Sequence, residues 1–177
     1  MSDFGRDLAV VIGINDYQNG IDPLQTAVPD AVAIAEIFQN TYKYDLIHPD
    51  FESGVVIDQY ATKAKLEELF TDILPNQIKP TQSDRVIFYF AGHGIARNSD
   101  NETQGFLVPQ DANMKNLDSL LKMSEVHDWL TKLECKHLLV ILDCCFAGAF
   151  RWASYRKLIP IAQEITKSHY DLSLIHI

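Results

Sequence analysis

Two short stretches of this 177-residue chain hold the residue types that nucleophilic catalysis needs. His93 sits in Ala91-Gly92-His93-Gly94, where glycines on both sides let the backbone turn sharply and leave the imidazole uncovered. Cys144 and Cys145 stand back to back in Asp143-Cys144-Cys145-Phe146-Ala147-Gly148. A cysteine thiolate can attack a carbonyl carbon, and a neighbouring imidazole can move the protons that such a reaction requires. Taken singly, a histidine in a turn reads as a local cap or packing residue. Position changes that reading, because each stretch directly follows an apolar run, VIFYF at 86–90 or HLLVILD at 137–143. Strand ends of one parallel sheet lie at the same edge, and ligands bind beyond that edge.

The elements that must position these residues are legible from hydrophobic patterning. A third apolar run, LAVVIGI at 8–14, has the same near-continuous character, the mark of strands buried on both faces. GVVID at 54–58 is a fourth candidate strand and GFLVP at 105–109 a short fifth. Helical spacing appears between them. Residues 30–39 place Ala31, Ile34, Ala35 and Phe38 on one face, with Pro29 suited to the first turn. Residues 62–74 begin on Thr62 as a cap and repeat Leu66, Leu69, Phe70 and Ile73. Residues 124–133 begin on Ser124 as a cap and bury Val126, Trp129 and Leu130. Strands alternating with helices predict an α/β fold, a mainly parallel sheet flanked by helices. The three strand exits read NDY, AGHG and DCCFAG. IARNSDNETQ at 95–104 reads as a solvated loop, LIPIAQEI has helical character, and the final LSLIHI fits no clear element.

Composition narrows the classes. Hydrophobic residues make up 47% and charged residues 22% of the chain, as in a globular domain rather than a disordered one. A net charge of -9 argues against nucleic-acid binding. Three cysteines, two of them adjacent, make no disulfide framework. The opening MSDFGRDLAVVIG lacks the basic leader of a signal peptide, and no apolar stretch approaches the roughly 20 residues that span a bilayer. The expectation is a reducing, cytoplasmic setting without membrane contact. Cys135, His127 and His137 form no paired zinc motif, and Cys135 reads as a small buried hydrophobe. His48, His137 and His169 read as ordinary surface or core residues.

AGHG together with DCCFAG resembles the caspase-like cysteine peptidase superfamily, nearer to metacaspases, paracaspases and their bacterial caspase-like relatives than to animal caspases. Metacaspases carry S-G-H-G around the histidine and D-x-C-x-[SA]-G around the nucleophile. The interval from His93 to Cys145 also fits the roughly 50 residues of the caspase signature. AVVIGINDY and the phrase Leu24-Gln25-Thr26-Ala27-Val28-Pro29-Asp30-Ala31 are similar to the family's first strand and the opening of its first helix. Aligned on Gly148, the resemblance implies Cys145 as nucleophile and leaves Cys144 at a free position. It implies a caspase-haemoglobinase fold, His93 as the catalytic histidine, and the backbone N–H groups of Gly94 and Cys145 as oxyanion donors.

The resemblance also implies a substrate. Asp143 stands where animal caspases have a pocket glutamine, as in the branch that cleaves after Arg or Lys, and a carboxylate there would pair with a cationic side chain. Asp30 matches the family's other acidic pocket residue, although a helix-start aspartate serving the dipole explains it equally well. Ala91 replaces a pocket serine and Ala27 a cysteine, so the pocket should be less polar; Phe146 stands where many metacaspases have histidine. Residues 102–107, ETQGFL, lack the Asp-Glu pair of the calcium-dependent relatives, so neither a calcium site of that kind nor a cofactor is expected. The expected activity is a cysteine endopeptidase acting on proteins or peptides with Arg or Lys at the cleavage site, in a bacterial signalling, stress or cell-death pathway. Partner or fused regulatory repeat modules are implied by the similarity of FRWASYRKLI to bacterial caspase-like domains. A catalytically silent interaction or signalling module is the alternative, and a flavodoxin-like nucleotide-binding domain ranks lower because GINDY has no phosphate loop. Residues 1–171 are expected to form the large-subunit region of a truncated peptidase domain, with 172–177 as a non-native or truncated tail. Arg97, Lys115 and Lys122 are candidate self-cleavage sites.

Overall fold

A computed structural model describes residues 5–49, 54–99, 102–145 and 171–176. Strand β1 (Asp7–Gly13) leads into helix α1 (Ala27–Glu36), which ends in a π-turn at Ile37–Thr41. Two short strands follow, β2 (Asp45–Leu46) and β3 (Val56–Ile57). Helix α2 (Lys63–Glu68) continues as a π-helical segment, Leu69–Ile78, that contains Pro75. Next come β4 (Arg85–Ala91), β5 (Gly94–Ser99), β6 (Glu102–Leu107), β7 (Leu121–Lys122), helix α3 (Met123–Thr131), β8 (His137–Asp143) and β9 (Asp171–His176). The main sheet has the order β2-β1-β4-β8-β9, with β3 sharing β1, and every pairing in it is parallel. The expected α/β architecture, a mainly parallel sheet flanked by helices, is the one observed.

The continuous apolar runs have a direct explanation. Alternate residues of a strand face opposite sides, and here both sides are covered. Val10, Ile12, Phe88, Phe90, Val140 and Leu142 pack toward α2, its π-helical continuation and α3, meeting Leu66, Phe70, Ile73, Val126 and Leu130. Ala9, Val11, Ile87, Tyr89 and Ala91 pack on the other side against Ala27, Ala31 and Ala35 of α1. Each large side chain so buried contributes about 1.5–3 kcal/mol through removal from water.

The amino ends of three strands are tied at one place. Asp84 is buried and accepts from the backbone N–H and guanidinium of Arg6 and from the Thr81 N–H, while its own carbonyl accepts from Lys136 N–H.

Several expectations are corrected. Residues 95–99 and 102–104 do not read as an open loop in the structure; they pair as antiparallel strands, β5 on β6, extended by β7. Polar outer positions hid the alternation, but Ile95 packs beside the buried Phe106 in a small separate core. Ser124 lies inside α3, whose cap position is Lys122. Helix α1 starts at Ala27, three residues before Asp30, so Pro29 and Asp30 both fall in its first turn. Residues 172–176 of LSLIHI, without a legible pattern, belong to β9, which lies along β8 on the edge away from β4. Thr62 does cap α2, its hydroxyl accepting from Lys65 N–H at 3.5 Å. LIPIAQEI lies outside the described residues, as do Phe146, Ala147 and Gly148.

Candidate active site

Three strand exits of the parallel sheet converge. β1 and β4 end in register at Gly13 and Ala91, and β4 and β8 end in register at Ala91 and Asp143. The chain leaving β4 stays bound to both neighbours, because Ile14 N–H donates to the Ala91 carbonyl and Gly92 N–H donates to the Asp143 carbonyl. His93 therefore emerges between the exit loop of β1 and the exit of β8.

The imidazole is held from the β1 side. Its Nε2 lies 2.8 Å from the Asp22 carbonyl oxygen, which can only accept, so Nε2 carries hydrogen and Nδ1 is the nitrogen left for proton exchange in the neutral ring. The backbone N–H of His93 donates to the Tyr17 hydroxyl at 2.7 Å, and the two rings are tilted at 44° with centroids 4.8 Å apart. Neither Tyr17 nor Asp22 is picked out by the sequence patterns. NDY marks the right loop, but a carbonyl contributed by Asp22 leaves no trace in residue type.

On the β8 side the histidine loop touches the cysteine pair. A Cβ on Gly94 would lie 3.1 Å from the Cys144 sulfur and would collide with the Cys145 carbonyl oxygen, so only glycine fits that approach. The Val108 N–H donates to the His93 carbonyl, which makes His93–Val108 a singly hydrogen-bonded pair just beyond the end of the antiparallel ladder, the His93 N–H going to Tyr17 instead. Such pairs alternate, so Gly94, opposite Leu107, directs its N–H away from β6.

The bend that follows β8 separates the two cysteines. Cys144 follows Leu142 into the large core and is buried, whereas Cys145 is exposed. Burial pushes the Cys144 thiol up to about 12, with the charges of Cys145 and Asp143 acting the same way. Cys135 is likewise buried and pushed up to about 11, first by burial and then by Asp84.

Asp143 faces the α1 side, next to Ala91 in register. The Tyr89 hydroxyl donates to Asp143 Oδ2 at 3.5 Å. Burial first, then the negative charges of Asp143 and Asp30, together push that phenol up to about 12. Two carboxylates from different elements thus act on one buried hydroxyl. Asp30 is exposed in the first turn of α1, whose start is fixed by Asn15 Oδ1 accepting from Val28 N–H. Ala91 is buried and offers only a methyl group. A hollow lined by Tyr44, Arg85, His137 and Leu139 lies at the opposite ends of the strands and shares no residue with this site. Among the described residues, no group of His, Cys, Asp and Glu could hold a metal ion, and no helix is long and apolar enough to cross a membrane.

Comparison with known proteins gives a consistent assignment. The family model of the caspase domain matches residues 6–170. Among solved structures, protein GSU0716 from Geobacter sulfurreducens superposes with a TM-score of 0.63 at 16% identity. The match covers 88% of this chain and 56% of that one, so this chain spans little more than half its length. At that identity the likeness concerns the fold alone. A search of the curated proteins finds no match.

Proposed function

The chain belongs to the caspase domain family, a family of cysteine peptidases, and we propose from that membership that it is an endopeptidase cutting after arginine or lysine with Cys145 and His93 as its dyad. The observation that carries this reading is the contact of the two loops: Gly94, next to His93, packs on Cys144 and on the Cys145 carbonyl.

In this mechanism the Cys145 thiol gives its proton to His93 Nδ1, and the sulfur bonds to the substrate carbonyl carbon. The developing oxyanion takes hydrogen bonds from the N–H groups of Gly94 and Cys145. The carbon–nitrogen bond then breaks as His93 returns the proton to the leaving amine. Water, deprotonated by the imidazole, adds to the acyl carbon and displaces the sulfur, which regains its proton. The Asp22 carbonyl holds the Nε2 side of the ring throughout and stabilises the imidazolium.

The specificity reading is supported by Asp143 and Asp30, whose charges act together on the Tyr89 hydroxyl. A guanidinium can satisfy both carboxylates, while an acidic side chain would be repelled. Ala91 would line the floor. We further read the chain as the large-subunit region of a longer peptidase domain of the metacaspase branch, acting in the cytoplasm of a bacterium in signalling, stress or cell death, with repeat modules fused to it or bound by it.

Cleavage of fluorogenic peptides ending in Arg, Lys or Asp tests the proposal. Arg and Lys peptides should be cut and the Asp peptide spared, with Cys145→Ala inactive and Cys144→Ala active. Full activity of Cys145→Ala would overturn the dyad. Absence of cleavage by a chain extended to its full natural length would favour a silent interaction module.

A further inference from the structure

We propose that Tyr17 is a positioning residue that seats the His93 imidazole through the peptide carrying it. The inference rests on His93 being the acid–base group, and it concerns a residue outside the dyad. Three independent contacts support it. The Tyr17 hydroxyl accepts the His93 N–H at 2.7 Å. The phenol ring lies against the imidazole at a centroid distance of 4.8 Å. A Cβ at position 92 would come within 2.7 Å of the same hydroxyl oxygen, so the glycine before the histidine leaves the space that the tyrosine fills.

Physical chemistry says what this arrangement accomplishes. A histidine flanked by two glycines has a permissive backbone, and without a fixed peptide its ring would sample many directions. The hydroxyl fixes the Gly92–His93 peptide, the phenol face limits the ring's rotation, and the Asp22 carbonyl then captures Nε2–H at 2.8 Å. Both restraints come from one loop, 14–24, which is itself braced: Asn15 and Asp16 N–H groups donate to Asp58 Oδ1, and Gln18 N–H donates to the Gln110 carbonyl. Tyr17 packs between the large core and the small core around Phe106. Its hydroxyl stays protonated across the working range, because burial raises its pKa and the charges of Cys144 and Asp58 add to that, outweighing the His93 N–H bond. A neutral phenol accepts one hydrogen bond without placing a negative charge beside the imidazole.

The test uses Tyr17→Phe, which removes one oxygen and keeps the ring, alongside Gly92→Ala, which drives a methyl into the hydroxyl's place. The readout is the pH dependence of Cys145 alkylation by iodoacetamide, located by tandem mass spectrometry, with kcat and KM on the Arg peptide measured where turnover is seen. Both variants should move the alkylation inflection to higher pH, toward that of His93→Ala. On the peptide, a misplaced ring should lower kcat about tenfold to hundredfold, with KM within twofold. Thermal melting close to that of the unaltered chain distinguishes positioning from unfolding. The proposal is overturned if Tyr17→Phe and Gly92→Ala both keep the original inflection while His93→Ala shifts it. Should His93→Ala itself leave the inflection unmoved, the dyad reading fails instead, and the two failures are told apart.

Discussion

Cys144 and Cys145 carry the same functional group one peptide apart, and their surroundings decide what each can do. The first is core material whose thiol burial has pushed up to about 12; the second stands exposed beside the histidine loop. Asp143, one residue earlier, points to the opposite face and shares the Tyr89 hydroxyl with the charge of Asp30. In the proposed pocket Asp143→Asn keeps the size and the hydrogen bonding but deletes the charge. It should lower kcat/KM for an Arg peptide by about tenfold to a hundredfold, the loss of one charge-assisted contact. Asp30→Asn, more exposed, should cost less, and the double variant should lose discrimination between Arg and Gln peptides. Equal effects on Arg and Gln peptides would place the carboxylates outside the pocket. At this scale the sequence nominates His93, Cys145 and Asp143 as candidates, because the chemistry proposed for them resides in side-chain type. Tyr17 and Asp22 escape notice because a hydroxyl meeting a backbone N–H, and a carbonyl meeting a ring nitrogen, depend on how two loops cross.

The elements were legible where burial is two-sided and obscure where it is not. β1, β4 and β8 announce themselves because helices cover both faces, so almost no polar residue is tolerated along them. The β5–β6 hairpin carries mostly polar residues between its buried ends, where Ile95 and Phe106 pack in the small core and Leu107 in the large one, so its sequence resembles a loop. The spacing discloses helix α3 but not its start, because Ser124 looks like a cap and lies inside the helix. The hairpin matters to the site, since its first residue is Gly94. Replacing Gly94 by alanine should press a methyl onto the backbone oxygen of Cys145, which cannot swing aside as a side-chain tip could. The expected outcome is a stability loss of about 1–3 kcal/mol from overpacking, measured by urea denaturation, together with loss of peptide cleavage. Unchanged stability in Gly94→Ala would mean that the two loops are further apart than the contact implies.

Across the molecule the parallel sheet has two working ends. The carboxyl ends bear the candidate site; the amino ends are pinned by Asp84, which gathers Arg6, Thr81 and Lys136. Burial alone would raise the Asp84 carboxyl, but the Arg6 side chain, the Arg6 and Thr81 N–H groups and the Arg6 charge together lower it from 3.8 to about 2. A carboxyl lowered on folding stabilises the fold above its unfolded value and stops doing so as pH falls toward the folded one, a contribution on the order of 2 kcal/mol at neutral pH. Asp84→Asn should therefore melt well below the unaltered chain at pH 7, with the gap narrowing between pH 5 and pH 3. A gap constant over that interval would show that the ionised carboxylate is not what stabilises this end.

The crossing of the loops also sets an order of construction. Tyr17, Asp22, Gly92 and His93 all precede β8 in the chain, and the β1–β4 pairing that carries them joins residues as far as 78 positions apart without using Cys145. Translation adds roughly 5–20 residues per second, so several seconds pass on the ribosome between the histidine and the exposed thiol. The imidazole and its supports are synthesised first, and the proposed nucleophile arrives last, beside groups that already exist.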